Sequence, residues 1–133
     1  MDAFRHSDDL AVELFGLANE LPPRLYWLAS QLMRAGTSAP SNIAEGYARS
    51  SRKEFLQYLA IARGSLAETE YFLHFMRRTR LLDDARYNDL ARVRRQAAAN
   101  VFGLIKSLRA RLPAKGSYGR VAEQTEDYLP NEE

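Results

Sequence analysis

The segment APSNIAEG at residues 39–46 decides how the chain is organised, because it lies inside a run of helical spacing that contains a proline. Pro40 removes one backbone donor and presses on the carbonyl of Gly36, the residue type that adds no side chain to the crowding. Apolar residues keep helical spacing on both sides of this proline. We therefore predict a helix over residues 24–45 that kinks at Pro40 and has Gly46 as its C-terminal cap. Its predicted buried stripe comprises Leu25, Leu28, Leu32, Ala35 and Ala39.

Helices are predicted on both sides of this segment. The earlier one covers residues 8–18, begins at Ser7 as its cap, and is stopped by the two prolines at residues 22–23. The later one covers residues 51–78 and opens with a capping box between its first residue, a serine, and Glu54.

A fourth helix is predicted to begin at Asp83 or Asp84 and to end before Pro113. The links between the four helices are short, and short links join antiparallel neighbours. We therefore predict an all-α fold, an up-down-up-down antiparallel four-helix bundle over residues 1–112. Residues 113–133 are predicted to form a flexible acidic C-terminal tail, since they hold two glycines and few large apolar residues.

The third helix has an apolar face wider than one partner helix needs. One stripe comprises Phe55, Leu59, Ala62, Leu66, Thr69, Leu73 and Met76, and the adjacent stripe comprises Tyr58, Ile61, Ser65, Phe72 and Phe75. Either this helix lies deep in the bundle, or part of the second stripe faces another subunit. The candidate residues for such an oligomer interface are Tyr58, Ile61, Phe72 and Phe75.

Composition restricts the class of protein. The chain has 133 residues, enough for one domain, and no cysteine, which excludes disulfides and thiolate metal sites. It has no leader with basic and apolar regions and no apolar run of about 20 residues, so we expect a cytoplasmic protein that does not enter a membrane. Residues 1–112 carry 17 Lys and Arg against 12 Asp and Glu, whereas residues 113–133 carry 2 against 5.

No group of residues predicts an enzyme. The two histidines, His6 and His74, lack a carboxylate three residues earlier, which di-iron bundles require. The chain also lacks a nucleophile elbow and a glycine-rich phosphate loop. We therefore expect no catalytic residue, no cofactor, no metal and no small-molecule substrate.

The polar residues around the segment at residues 39–46 are predicted to be structural. Arg34 and Glu45 are about three turns apart, and Glu45 reaches Arg49 at a spacing of four. Gly64 and Ser65 in the third helix would let the second helix approach closely. The predicted structural set is Arg34, Pro40, Asn42, Glu45, Gly46, Gly64 and Ser65.

Basic residues divide between the two ends of the predicted bundle. One end is predicted to gather Arg49, Arg52, Lys53, Arg109 and Arg111, which we regard as candidate nucleic-acid contacts. Sixteen of the 19 basic residues are arginine, whose planar fork suits phosphate. The opposite end is predicted to gather Arg24, Arg77, Arg78, Arg80 and Arg86.

These residues resemble a known family. The resemblance rests on Leu21-Pro22, Gln31, Arg34-Ala35, PSNIAEG at residues 40–46, Arg49, Glu54-Phe55, and ARGSL with Glu68 at residues 62–68. The chain is similar in these positions to the 23S rRNA intervening sequence proteins. The resemblance implies four-helix bundles that assemble into ring-shaped homopentamers. Some members are encoded inside segments that interrupt large-subunit ribosomal RNA genes, and a related accessory protein of diversity-generating retroelements binds nucleic acid and a reverse transcriptase.

Two functional hypotheses follow. The first is a non-enzymatic homo-oligomer, a pentamer by resemblance, that binds RNA or a nucleoprotein through its basic surfaces. The alternative is a protein-protein interaction scaffold whose basic residues only solvate its surface.

Overall fold

The computed structural model describes residues 1–112 as four long helices, so the predicted all-α bundle is confirmed. The helices are α1 (Asp2–Asn19), α2 (Tyr26–Tyr47), α3 (Arg52–Arg78) and α4 (Asp84–Ala110), with a short 3-10 turn at Pro23–Leu25 before α2. None of the helices in this part of the chain is both long and apolar enough to cross a bilayer. The acidic tail predicted for residues 113–133 lies outside the described residues.

Side-chain contacts show that α2 and α3 run antiparallel. Near the middle of α2, Arg34 forms an ion pair with Glu68 in the second half of α3. Near the end of α2, Glu45 accepts a hydrogen bond of 3.3 Å from the Tyr58 hydroxyl in the first half of α3. Later residues of α2 thus meet earlier residues of α3.

The other helix pairs are antiparallel as well. Arg77 at the end of α3 pairs with Asp84 at the start of α4, with 3.1 Å between Nε and Oδ1. Arg86 in the first turn of α4 binds Glu20, the C-terminal cap of α1. Since α1 packs on both α2 and α4, the four helices close into an up-down-up-down bundle.

The core lies along the bundle axis and is built from aliphatic side chains of all four helices. The largest fully buried apolar side chains are Leu10, Leu14, Leu17, Leu28, Leu32, Ile43, Leu59, Leu66, Leu73, Met76 and Val101. Burying one such side chain contributes about 1.5–3 kcal/mol. The first predicted stripe of α3 is largely buried here, which agrees with a helix that contacts two neighbours.

The start of α1 differs from the prediction. The helix begins at Asp2, and Ser7 is a buried residue inside it instead of its cap. Ala3 and Ser7 extend the buried row of Leu10 and Leu14 at spacings of four and three, so packing favours another turn and a half of helix. A small polar residue on a buried row was mistaken for a cap.

The ends of α2 and α3 differ from simple glycine caps. The α2 helix continues through Pro40 to Tyr47 and has Ala48 as its cap, so Gly46 is not the predicted C-terminal cap. At the end of α3, Arg80 adopts a positive φ of 65°. The amide of Leu81 donates to the Met76 carbonyl at 2.8 Å, which completes a Schellman motif with arginine at the position that glycine usually takes.

Candidate nucleic-acid interface

The antiparallel order places five predicted cations at one end of the bundle, which we name the basic end. Arg49 lies in the link between α2 and α3, and Arg52 and Lys53 lie in the first turn of α3. Arg109 lies in the last turn of α4, and Arg111 is its C-terminal cap. Their placement at one end was predicted only from the antiparallel order of the helices.

Arg49 connects two helices at this end. Its Nη2 donates to Glu45 Oε2 at 3.0 Å and to the Tyr58 hydroxyl at 2.6 Å, and its guanidinium carbon lies 5.1 Å from the Tyr58 ring centroid. The hydrogen bond to the Glu45 carboxylate raises the pKa of Arg49. Arg49 is thus a structural link as well as a candidate cation.

Besides Arg49, the exposed cations at the basic end are Arg52 and Arg111. Neither has an ion-pair partner among residues 1–112. Asp2, at the same end, is bound by Arg5 at 2.8 Å. Within residues 1–112, therefore, no carboxylate pairs with Arg52 or Arg111.

Most of the predicted structural residues lie along the contact between α2 and α3. Arg34 binds Gln31 within its own helix and Glu68 across it. Further along, Ser65 Oγ donates to Ser38 Oγ at 2.7 Å. Asn42 donates to the Ser38 carbonyl at 2.8 Å, so one small polar cluster fixes the middle of this contact.

The two glycines of the structural set have opposite surroundings. A Cβ added at Gly46 would lie 2.6 Å from Tyr58 Cβ and 2.9 Å from Phe55 Cδ1, so this glycine permits the close approach of α2 to α3. A Cβ at Gly64 would meet nothing within 4 Å. The close approach predicted at Gly64 is therefore wrong, because this residue lies on the outer surface of α3.

The four candidate interface residues differ in exposure. Ile61 is 50% exposed, whereas Tyr58, Phe72 and Phe75 are half-buried, and both phenylalanines pack against the core. The edge of Phe75 meets the ring of Trp27 at 6.2 Å.

Phe75, a predicted interface residue, belongs to an aromatic patch with Trp27 and Tyr71, two residues that the sequence pattern did not indicate. Trp27 and Tyr71 are both more than half exposed, and the Tyr71 ring lies 6.2 Å from Phe75. Trp27 lies one position before the buried Leu28, and that offset turns it toward α3 and solvent. Helical spacing places Trp27 at the edge of the buried face of α2. Its contact with Phe75 becomes evident only once the register between α2 and α3 is known.

Sequence reasoning also missed the charge pattern of α4. Residues 90–112 contain six Lys and Arg and no Asp or Glu. Arg63 of α3 and Lys106 of α4 both lie beside the ring of Phe102, an arrangement that we name the Phe102 cluster. The acid-free run could have been read from the sequence, but the position of Arg63 could not.

At the opposite end, two of the cations are matched by acids. Arg77 binds Asp84, and Arg86 donates to both oxygens of Glu20 at 2.5 and 2.9 Å. The hydrogen bonds between Arg86 and Glu20 lower the pKa of Glu20 and raise the pKa of Arg86. Among residues 1–112, no group of three His, Asp or Glu side chains is arranged to hold a metal ion.

The family is decided by a match over most of the chain. The family model of the 23S rRNA-intervening sequence protein matches residues 1–102. This chain belongs to that family. The resemblance predicted from the segment at residues 39–46 is therefore confirmed.

A solved structure shares the bundle of this 23S rRNA-intervening sequence protein. It is the crystal structure of a protein of unknown function from the S23 ribosomal protein family of Bacteroides thetaiotaomicron. The two chains are 28% identical with a TM-score of 0.73, and the match covers 78% of this chain and 98% of the other. No curated protein matches this chain.

Proposed function

We propose that this protein is a non-enzymatic, homo-oligomeric bundle that binds RNA or a nucleoprotein through its basic end. The observation that carries the proposal is the convergence of basic residues from two helices. The first turn of α3 and the last turns of α4 meet at one end, and residues 90–112 hold six cations without an acid.

The chemistry of such binding is phosphate contact. Arg52 and Arg111 are exposed, and an arginine fork binds two phosphate oxygens at once. Lys53 and Arg109 add charge from the same two helices. Glu45 and Tyr58 hold Arg49, which lies in the link between α2 and α3. Arg49 thereby stabilises this link and adds its positive charge to the basic end.

Fluorescence anisotropy with labelled RNA at about 50 mM salt tests this proposal, because low salt favours phosphate contacts. We expect the wild type to bind and the Arg52→Glu/Arg111→Glu variant to lose most of its affinity. The matched control is Arg24→Glu/Arg78→Glu, which reverses two charges at the opposite end and should retain binding. No binding by the wild type, or an equal loss in both variants, would overturn the proposal.

Self-association is proposed on separate grounds. Three large apolar residues of α2 and α3, Trp27, Ile61 and Tyr71, are at least half exposed, and grouped exposed apolar residues mark protein interfaces. The family resemblance adds the expectation of a ring of five chains. Light scattering should give about five times the 15.2 kDa of one chain. A monomer mass would contradict the proposal.

The aromatic patch also supports the second candidate, a protein-interaction scaffold. Capture of a protein partner that survives nuclease treatment, together with no RNA binding by the purified chain, would favour this candidate. Capture that is lost on nuclease treatment would favour the first.

A further inference from the structure

Phe102 is a large apolar residue on the surface of α4. Its side chain lies on the side of α4 that faces α3, and the residue is 45% exposed. The guanidinium carbon of Arg63 lies 5.3 Å from the ring centroid, and Lys106 Nζ lies 5.5 Å from it. Both distances are within the range of cation-π contacts.

The helix backbone beside this ring is open at two glycines. Gly103 follows Phe102 and Gly64 follows Arg63, and a Cβ added at either glycine would meet nothing within 4 Å. Glycine is less favourable than alanine inside a helix, and neither position needs glycine for packing within the bundle. No side chain at these two positions therefore limits the approach of a planar group to the Phe102 cluster.

The charge around the ring is positive and continues to the basic end. No Asp or Glu occurs in residues 90–112, and the nearest acid that contacts this part of α4, Glu70, is bound to Arg94 at 3.6 Å. From Phe102 the cations follow at Lys106 and Arg109, over about 10 Å of helix.

We infer that Phe102 stacks against an unpaired base of a single-stranded polynucleotide, while Arg63 and Lys106 move from the ring to the phosphates beside it. This inference rests on the proposed function and specifies its ligand. An exposed aromatic ring between cations is the arrangement by which single strands are held without sequence preference, because every base offers a flat face. A duplex keeps its bases stacked and paired, so the ring gains nothing from it.

A purely structural role for the cluster makes a different prediction. If Arg63 and Lys106 only cover the ring, loss of the ring alters stability and leaves the affinity for every polynucleotide unchanged. The two roles are therefore separable by binding measurements on folded variants.

The experiment compares four labelled probes, which are single-stranded and duplex forms of RNA and of DNA with one sequence. Phe102→Leu keeps the apolar bulk in the helix and removes the flat ring. We expect roughly tenfold weaker binding of both single strands and no change for the duplexes. Phe102→Tyr keeps the ring and should restore single-strand binding.

A second variant gives a readout that does not depend on affinity. The wild type has one tryptophan, Trp27, so Phe102→Trp adds a fluorophore at the proposed stacking position. Single strands should quench the fluorescence of this variant and leave that of the wild type almost unchanged.

The outcomes distinguish this inference from the proposed function. Unchanged single-strand affinity in Phe102→Leu, an equal loss for duplexes, or no quenching would overturn the stacking role while binding through the basic end stands. If the wild type binds none of the four probes, the proposed function fails and the inference fails with it.

Discussion

At the scale of single residues, the two glycines Gly46 and Gly64 show what the sequence could and could not give. Both belong to the segments that identify the family, and both were predicted from their residue type. Only the register between α2 and α3 shows that Gly46 lies against Tyr58 while Gly64 faces open space. Glycine is informative in the sequence, but its role depends on what packs against it.

The contrast gives a paired prediction. Gly46→Ala should lower the free energy of unfolding by about 1–3 kcal/mol, because the added methyl overlaps Tyr58 Cβ and the backbone must shift. Gly64→Ala should raise it by about 0.5–1 kcal/mol, because alanine favours the helix and meets no neighbour. Urea denaturation measures both, and equal effects would refute the packing described for Gly46.

Arg80 is a second residue whose conformation the sequence did not reveal. Its positive φ closes the Schellman motif after α3, and an L-residue pays about 1–2 kcal/mol for this conformation. Arg80→Gly should therefore raise the stability of the bundle by about 1 kcal/mol. Denaturant unfolding of this variant beside Arg78→Gly, an ordinary helical position that should be destabilised, tests the assignment.

At the scale of helices, caps and periodicity predicted most of the fold. Ser51 accepts a hydrogen bond from the Glu54 amide at 3.1 Å, and Asp83 accepts one from the Arg86 amide at 2.8 Å, so the starts of α3 and α4 were predicted correctly. The start of α1 was wrong, because Ser7 satisfies the same composition rule while lying on a buried row. Local sequence does not separate a cap from a small core residue.

The same substitution at two serines tests this distinction. Ser51→Ala should cost about 1 kcal/mol, because α3 loses its cap. Ser7→Ala should stabilise the bundle by about 1 kcal/mol, because the buried Ser7 hydroxyl has no hydrogen-bond partner among residues 1–112. If Ser7→Ala instead destabilised the protein like Ser51→Ala, the longer α1 would be contradicted.

At the scale of the whole molecule, the contacts that close the bundle join residues far apart in the chain. Glu20 and Arg86 are 66 positions apart, yet they form two hydrogen bonds that tie the end of α1 to the start of α4. The predicted topology brings these helix ends together, but it does not select the pair. The Phe102 cluster likewise depends on the α3–α4 register and could not be derived from either helix alone.

The Glu20–Arg86 pair predicts a pH effect. Arg86 lowers the pKa of Glu20 in the folded state, so the pair contributes stability above the ordinary pKa of glutamate and loses it as the pH falls through the lowered value. Glu20→Gln should thus lower Tm slightly at neutral pH and have no effect in strong acid. A difference in Tm that stays constant with pH would show that this ion pair does not stabilise the bundle.

The salt dependence of binding to single-stranded RNA tests the central claim most directly, because phosphate contacts release counterions. With Arg52, Lys53, Arg109 and Arg111 engaged at the basic end, and Arg63 and Lys106 at the Phe102 cluster, the logarithm of the affinity should fall against the logarithm of salt concentration with a slope of roughly −4. In Arg52→Gln/Arg111→Gln, the steepness of that slope should fall by about 1.4. A wild-type slope near zero, or the same slope in both proteins, would contradict binding through the basic end.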